Sequence, residues 1–448
     1  MTQEPSTTPT RGRLLRILGI SFGIASAVGT VIGAGILRAP TSIAALVPNG
    51  AAMLALWVAG GLVTALGINI VAELATAIPR DGGSYAWVHQ AFGDTAGLAV
   101  GWTLAMSICC GIAALSMSFA DFLAWIWPIG MRARHLVAAA AQLGLFGINL
   151  AGLRSGAIAT HVTSMAKVLA IVGFVAAALI VAPRAHAAIG TVVAQARSAP
   201  IGFAALIGAY QLIGGAYSGW EAPTAFGAET TDPERTLPKS LYLGLIVSCA
   251  VYLIVISGLL IVLGVRGIAA SDSPFSEIMQ TLLGRAAGAS VAAIAMLMVL
   301  SCANADVMTA PRYLYALAED RLIPAAFAGV NRGGTPQNAT LLVALISLAL
   351  TLSGSFDLVF GLIATLGAVT SILVYSAFFA LRLRRPDLPR PYRALGYPLL
   401  PALALLIAVA SFVLFMHANG RGALVAIAVW VLCVPLAMLA KRGRANGR

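Results

Sequence analysis

Charge is what this chain has least of. Only 10% of its 448 residues are Asp, Glu, Lys or Arg, while 60% are hydrophobic. A soluble domain carries about a quarter of its residues as charge, so this composition excludes one and indicates an integral membrane protein. Acids are scarcer still, 16 against 28 Lys and Arg, for a net charge of +12. That surplus would suit a nucleic-acid binder if it were gathered in one patch. Here the basic residues sit between apolar runs, so they report topology and no nucleic-acid partner is expected. Cysteine is sparse, and Cys109, Cys110, Cys249, Cys302 and Cys433 all fall inside apolar runs at no metal-ligand spacing. They read as buried free thiols, not a disulfide framework. His89, His135, His161, His186 and His417 are scattered without HExxH spacing, so neither a metal nor a cofactor is expected. There is no GxxxxGK[ST] fingerprint and no nucleophile–base pair, which argues against an ATP-driven pump and against an intramembrane enzyme.

What the chain does have is long apolar runs. Stretches of about 20 such residues are read as spans. They cover about 14–38, 50–78, 93–127, 134–153 and 155–183, then about 201–228, 238–265, 276–318, 337–353 and 357–382, and finally about 397–418 and 422–440. The expectation is an all-α membrane protein of about twelve transmembrane helices. The eighth run is too long for one span and is expected to project into the cytoplasm. An even count puts both termini on one side. The connections on that side, with the tails, carry about 19 basic residues against about 8 opposite, which makes it the cytoplasmic side. Met1 to Thr10 is a polar tail, and the run after Arg11–Arg16 is too long for a signal-peptide core, so cleavage is not expected. The expected organisation is a disordered cytoplasmic tail (1–13), a ten-helix core (14–383), an Arg- and Pro-rich cytoplasmic linker (384–396), two further helices (397–440) and a basic cytoplasmic tail (441–448).

Two of the runs are interrupted. Gly29-Thr30-Val31-Ile32-Gly33-Ala34-Gly35-Ile36 puts three glycines within seven residues of the first. Glycine weakens a helix and lets a ligand approach the bare main chain. Close packing against another helix through small residues is the competing reading. The second interruption, Gly214-Gly215-Ala216-Tyr217-Ser218-Gly219-Trp220-Glu221-Ala222-Pro223, opens the second group of five runs. Paired broken segments in corresponding halves point to the central site of a secondary transporter, and groups of five necessarily have opposite orientations. Unwinding frees the amides of Ala34, Gly35 and Ile36 at a half-helix start, which suits a carboxylate. Freed carbonyls at the facing half-helix end and in the second break suit an ammonium group. Such a site complements the backbone of an amino acid.

These residues carry a resemblance. The chain resembles the amino acid–polyamine–organocation transporter superfamily, and its sixth helix is most similar to the L-type amino acid transporter branch. Residues 14–385 are covered. The motifs are Val31-Ile32-Gly33-Ala34-Gly35-Ile36, Gly82-Gly83-Ser84-Tyr85, Ala216-Tyr217-Ser218-Gly219-Trp220-Glu221, Asp232-Pro233-Glu234-Arg235-Thr236-Leu237-Pro238, and Asn304 through Arg312-Tyr313-Leu314-Tyr315 to Glu319-Asp320-Arg321-Leu322-Ile323-Pro324. The resemblance implies a five-plus-five inverted repeat with helices 1 and 6 unwound, moving amino acids by alternating access. It implies that the amides of Ala34, Gly35 and Ile36 bind the substrate carboxylate and the carbonyls of Ile32, Gly215 and Ser218 receive its amine. It also implies that Lys167 takes the place of a sodium ion by bridging the first and eighth helices, so transport should not need sodium. Three positions depart from the pattern. Gly215 stands where relatives often carry a bulky aromatic gate, Ala34 lacks a hydroxyl, and Glu221 replaces an Asn of the L-type branch.

The substrate-binding candidates are therefore Ile32, Gly33, Ala34, Gly35, Ile36, Gly215, Tyr217, Ser218, Gly219, Trp220 and Glu221. Lys167 lies too deep in an apolar run to snorkel, and a buried ammonium costs about 2.5–3.5 kcal/mol, so a functional role is expected. The alternative is a structural hydrogen bond to the broken first helix. Glu221 is either a proton carrier or partner of a cationic substrate, or a carboxylate in a water-filled vestibule or paired within the protein. Tyr217 and Trp220 either cover the substrate or simply pack. Asn304 and Asp306 line the path or hydrogen-bond between helices. Glu73 is expected to be structural, and Asp232, Glu234, Arg235, Arg312 and Arg321 to form salt bridges on the inward side. The partners are an amino acid, the lipid bilayer and, as a candidate co-substrate, protons. The function expected is sodium-independent secondary transport of amino acids across the cytoplasmic membrane, by exchange or proton coupling. The alternatives are an amine or polyamine antiporter and a non-transporting substrate sensor on the same fold.

Overall fold

Inside hydrocarbon a backbone must satisfy its own hydrogen bonds, and an apolar run of this length does so as a helix. The structure is a computed structural model describing residues 14–181, 201–271, 274, 275, 278, 287–353 and 356–418. The expected run 422–440 and the tails 1–13 and 441–448 lie outside the described residues. The first run is two helices, α1 (Ile20–Val31) and α2 (Ala34–Leu46). They are followed by α3 (Gly50–Ala77), α4 (Ser84–Phe92), α5 (Asp94–Ile126), α6 (Met131–Leu150) and α7 (Leu153–Val181). The second group is α8 (Phe203–Ala216), α9 (Pro233–Ala270), α10 (Ala287–Glu319), α11 (Gln337–Ser353) and α12 (Phe356–Arg384), and α13 (Leu399–Ala418) comes after the linker. The described residues contain three isolated β-bridges and no strand. Among the described residues, five helices, α3, α5, α7, α9 and α10, are long and apolar enough to cross a membrane.

The side chains sort by helix face. On α7, Ile158, Val162, Met165 and Leu169 recur at helical spacing and are 62–64% exposed. Thr160, Ser164, Lys167 and Ile171 on the opposite face are buried. In a bilayer the first stripe meets lipid, and the second turns the only ammonium of this helix inward. Helix α10 packs along α5, α9 against α3 and α1, α6 against α11, and α8 against α2. Buried polar side chains stitch the bundle. Gln142 on α6 donates to Ser347 Oγ at 2.7 Å and accepts from Thr351 Oγ1 at 2.7 Å, both on α11. Glu73 on α3 accepts from Arg382 and from the Ala394 amide at 2.7 Å, and pairs with Arg390 at 3.2 Å, so it anchors the linker.

Two details differ from expectation. Helix α4 is too short and too mixed in polarity to register as an apolar run. The seventh run bends at Gly264, whose φ of 65° is left-handed. Within the eighth run, helix α10 covers Ala287–Glu319, and most of 276–286 lies outside the described residues.

Candidate functional site

The first helix breaks at Ile32 (φ −78°, ψ 88°) and Gly33 (φ −130°, ψ −153°). Helix α2 then starts without a side-chain cap. The first amides of a helix have no partner within it, and those of Ala34, Gly35 and Ile36 open α2. Helix α8 ends at Ala216, and the chain continues through turns and one 3-10 turn, Ala222–Ala225. The turn depends on Gly219 (φ 96°), where a Cβ would stand 2.9 Å from Thr30 Cβ. The two breaks touch. A Cβ on Gly35 would lie 3.2 Å from Ala216 Cα, and Thr30 Oγ1 lies 2.7 Å from the Gly219 carbonyl.

Lys167 reaches this junction from α7. Its Nζ donates to the carbonyls of Gly29 and Ile32, both at 2.7 Å, and lies 3.7 Å from Cys302 Sγ on α10. The ammonium therefore spans the C-terminal end of α1 and the neighbouring α10, where the half-helix dipole is negative. Three contributors carry no signal in sequence reasoning. Tyr252 on α9 places its hydroxyl 2.7 Å from both the Val31 and Ala216 carbonyls, one from each break. Cys302 Sγ is 3.4 Å from the Ile32 carbonyl. Thr30 back-bonds to Ser26 at 3.0 Å while it faces Gly219. A tyrosine within the aliphatic run 251–263 is the one cue that was available.

The other candidates separate into groups. Gly35, Gly214, Gly215 and Ser218 are exposed, and a Cβ on Gly215 would meet nothing within 4 Å. Ile32, Gly33 and Ile36 are buried around the first break. Tyr217 is not over the gap. It is buried between Trp57 and Tyr252, and its hydroxyl donates to the Trp57 carbonyl at 3.2 Å. The Trp220 indole packs towards Gly67 on α3 and Tyr375 on α12. Glu221 and Asp306 lie within electrostatic reach of each other, and Asp306 within reach of Lys167. Asn304 is a buried inter-helix tie, accepting from Asn149 at 2.8 Å and donating to Thr160 Oγ1 at 2.9 Å.

A second polar cluster closes the end of the bundle that holds Leu18. Glu229, beyond the second break, receives both Arg312 Nε and Nη2 at 3.2 and 3.1 Å, with both side chains buried. Arg312, expected on an inward-side salt bridge, thus has a partner the sequence did not single out. Asp232 and Arg235 form an exposed pair at 3.9 Å. Asp320, after α10, accepts from Arg80 and Tyr85 at 2.8 Å each, and His89 Nδ1 lies 3.3 Å away. Burial pushes the Asp320 carboxyl upward, but hydrogen bonds from His89, Arg80 and Tyr85 outweigh it and hold it well below the usual range. Asp320, and then Asp94 at 2.9 Å, raise the His89 pKa against partial burial. Among the described residues, no His, Cys, Asp and Glu gather as metal ligands.

A family model described as "Amino acid permease" matches residues 20–439. The serine/threonine exchanger SteT of Bacillus subtilis is 27% identical over 408 residues, covering 90% of this chain and 91% of that protein. The branched-chain amino acid permease BcaP of the same organism is 25% identical over 428 residues, covering 90% and 88%. The large neutral amino acids transporter small subunit 2 of Mus musculus is 23% identical over 406 residues, covering 86% and 74%. The chain belongs to the amino acid permease family.

Proposed function

We propose that this permease moves amino acids across the cytoplasmic membrane by sodium-independent secondary transport, with exchange or proton coupling driven by alternating access. The observation that carries this reading is the meeting of the two breaks. The uncapped start of α2 offers amides beside Gly35, while exposed Gly215 and Ser218 stand opposite at the end of α8. Amides at a helix start favour a carboxylate, and carbonyls at a helix end favour an ammonium. In this reading the amides of Ala34, Gly35 and Ile36 hold the carboxylate. The carbonyls of Ile32, Gly215 and Ser218 take the amine, and Lys167 fills the place of a coupling cation. The open space at Gly215 receives the side chain. The relatives' printed substrates are serine, threonine, branched-chain and large neutral amino acids, which makes neutral amino acids the first class to test.

The same reading makes the fold a five-plus-five inverted repeat of twelve spans with two C-terminal helices. Its support is the packing of the second span on the seventh, the third on the eighth and the fourth on the ninth, an arrangement that a two-fold relation between halves allows. The excess of basic residues on the side of the N-terminus makes that side cytoplasmic.

Purified protein in liposomes tests the proposal, with uptake of labelled amino acids and polyamines measured with and without internal substrate, sodium and a pH gradient. Uptake of neutral amino acids that needs internal substrate but not sodium is the expected result. Uptake of polyamines alone would favour the amine antiporter, with Glu221 and Asp306 as its carboxylates. Binding without flux of any compound would refute transport and leave a sensor.

A further inference from the structure

Just beyond the central site, three segments meet at the end of the bundle proposed as cytoplasmic: the connection from α3 to α4, the 222–231 stretch that leaves the second break, and α10. Asp81 lies in the first. Its backbone pairs with Phe226, and the next residue, Gly82, donates its amide to the Ala225 carbonyl at 3.1 Å. Asp81 Oδ1 accepts from the Ala228 amide at 2.9 Å. Asp81 Oδ2 is buried, and among the described residues it has no hydrogen-bond partner. The residue is 4% exposed. Arg312, a cation within electrostatic reach of Asp81, gives both its Nε and Nη2 to Glu229 and its Nη1 to the Met308 carbonyl, while its guanidinium lies over the Phe226 ring at 5.0 Å. Two buried carboxylates therefore lie within electrostatic reach of one guanidinium, whose hydrogen bonds go to Glu229 and to the Met308 carbonyl.

A buried carboxylate with no hydrogen-bonded cation of its own is costly, and protonation removes the cost. We propose that Asp81 is a proton-binding site, carrying a hydrogen on Oδ2 while these three segments are packed together and releasing it to water on that face when they part. The groups facing it are Glu229 and Arg312, then Glu319 and Tyr315 from the far end of α10. Of these only Arg312 is cationic, and Glu319 is itself held by the Tyr315 hydroxyl at 2.7 Å. Burial first, and then the Glu229 charge, push the Asp81 carboxyl up to about 8, whereas in water it would return to about 4. The packed form thus holds a proton that the parted form loses. Between those two values, each unit of pH rise on that face shifts the equilibrium up to about tenfold towards opening. The site needs no bound amino acid, so it couples the acidity of that compartment to access from it. Because substrate reaches the central site only through the open form, its apparent affinity from that face follows the open fraction.

The proposal rests on the transporter reading, and the experiment separates the two. Exchange of a neutral amino acid is measured in liposomes while pH is varied on one face at a time from about 5.5 to about 7.5. In the wild type, the half-saturating concentration on the terminal face should fall severalfold to tenfold per unit of pH rise, and be flat when the opposite face is varied. Asp81→Asn keeps an acceptor for the Ala228 amide and mimics the neutral acid. It should be flat and resemble the wild type at the lowest pH. Glu229→Gln frees Arg312 for Asp81 and should move the dependence to lower pH. Infrared difference spectra between wild type and Asp81→Asn should show loss of a protonated-carboxyl band at neutral pH, a readout that needs no flux. A pH-flat wild type that exchanges normally would overturn the proposal. So would a dependence that survives in Asp81→Asn and disappears in His89→Gln. Absence of exchange at every pH would instead refute the transporter reading.

Discussion

Lys167→Met offers the sharpest test of the central site, because it keeps the length of the side chain and removes only its donors. The ammonium makes two charge-assisted hydrogen bonds at 2.7 Å, to the Gly29 and Ile32 carbonyls. At about 1.5–3 kcal/mol each, they hold the end of α1 with about 3–6 kcal/mol. Against this stands the cost of an ammonium in the bilayer interior, about 2.5–3.5 kcal/mol. The two largely cancel, so the net effect on the fold is about 0–3 kcal/mol, and the variant should fold with a melting temperature within a few degrees of wild type. Function does not benefit from that cancellation. The Ile32 carbonyl precedes the uncapped amides of α2 by one residue, and without the ammonium nothing fixes its direction against Cys302. Exchange in liposomes should fall about a hundredfold or more, corresponding to about 3 kcal/mol of lost geometry. The measurement pairs a melting curve with initial exchange rates at matched protein content. Turnover within about threefold of wild type would remove the lysine from the mechanism, and loss of folded protein would show that its role is structural.

Tyr252→Phe removes the hydroxyl that touches both breaks while the ring keeps its contacts with Trp57 and Tyr217. Substrate affinity should weaken about tenfold, the worth of one or two neutral hydrogen bonds, read by equilibrium binding on a normally folded protein. Gly215→Phe should narrow the range of amino acids taken up towards small ones, since the open space at that position would be filled; an unchanged uptake profile would show that the side chain does not go there. Arg312→Leu strands the buried Glu229 carboxylate and should cost about 3–5 kcal/mol of stability, whereas Arg312→Leu with Glu229→Leu should recover most of it in a thermal melt. His89 is held between Asp320 and Asp94 with its pKa raised. The stability it contributes is complete below its ordinary pKa of about 6.5 and is lost as pH rises through the higher folded value. The wild-type melting temperature should therefore decline over that range, and His89→Gln should lessen that decline, leaving the part that belongs to Asp81.

The features legible beforehand are those written in local periodicity and composition. Long apolar runs specify helices because hydrocarbon leaves the backbone no other partner, and the first break falls at Ile32–Gly33, within the glycine-rich stretch. Lys167 stood out because an ammonium is costly in such a run. Its inward direction follows from the lipid-facing stripe Ile158, Val162, Met165 and Leu169. Helix α4 was not legible because a nine-residue helix of mixed polarity produces no apolar run. Nor were Thr30, Tyr252 and Cys302, since a hydroxyl or thiol in an apolar run is a common, inexpensive residue until a freed carbonyl from another helix meets it. Glu229 and Asp81 escaped for a related reason. Each lies in a connection, where acids are ordinarily solvated, and only the meeting of three distant segments buries them. Tyr217 was drawn to the site by its place in the second break, but the chain turns there and sends the ring towards α3.

The distribution of partners around the first break also bears on how such a site would discriminate. At the end of α1, the carbonyls of Gly29, Val31 and Ile32 already receive Lys167, Tyr252 and Cys302. At the start of α2 no side chain caps the amides. The unmet demand at this break is therefore for an anion, and a carboxylate answers it at a point where the half-helix dipole adds attraction. The ammonium must find its acceptors mainly across the gap, at the end of α8, where Gly215 and Ser218 are exposed. In the proposed reading the two charges of the substrate are thus held by different helices, and a ligand lacking either one cannot bridge them. Amines without a carboxylate and carboxylates without an amine should both bind weakly, so recognition of the class depends on main-chain atoms. The side chain is then judged separately, by the space beside Gly215.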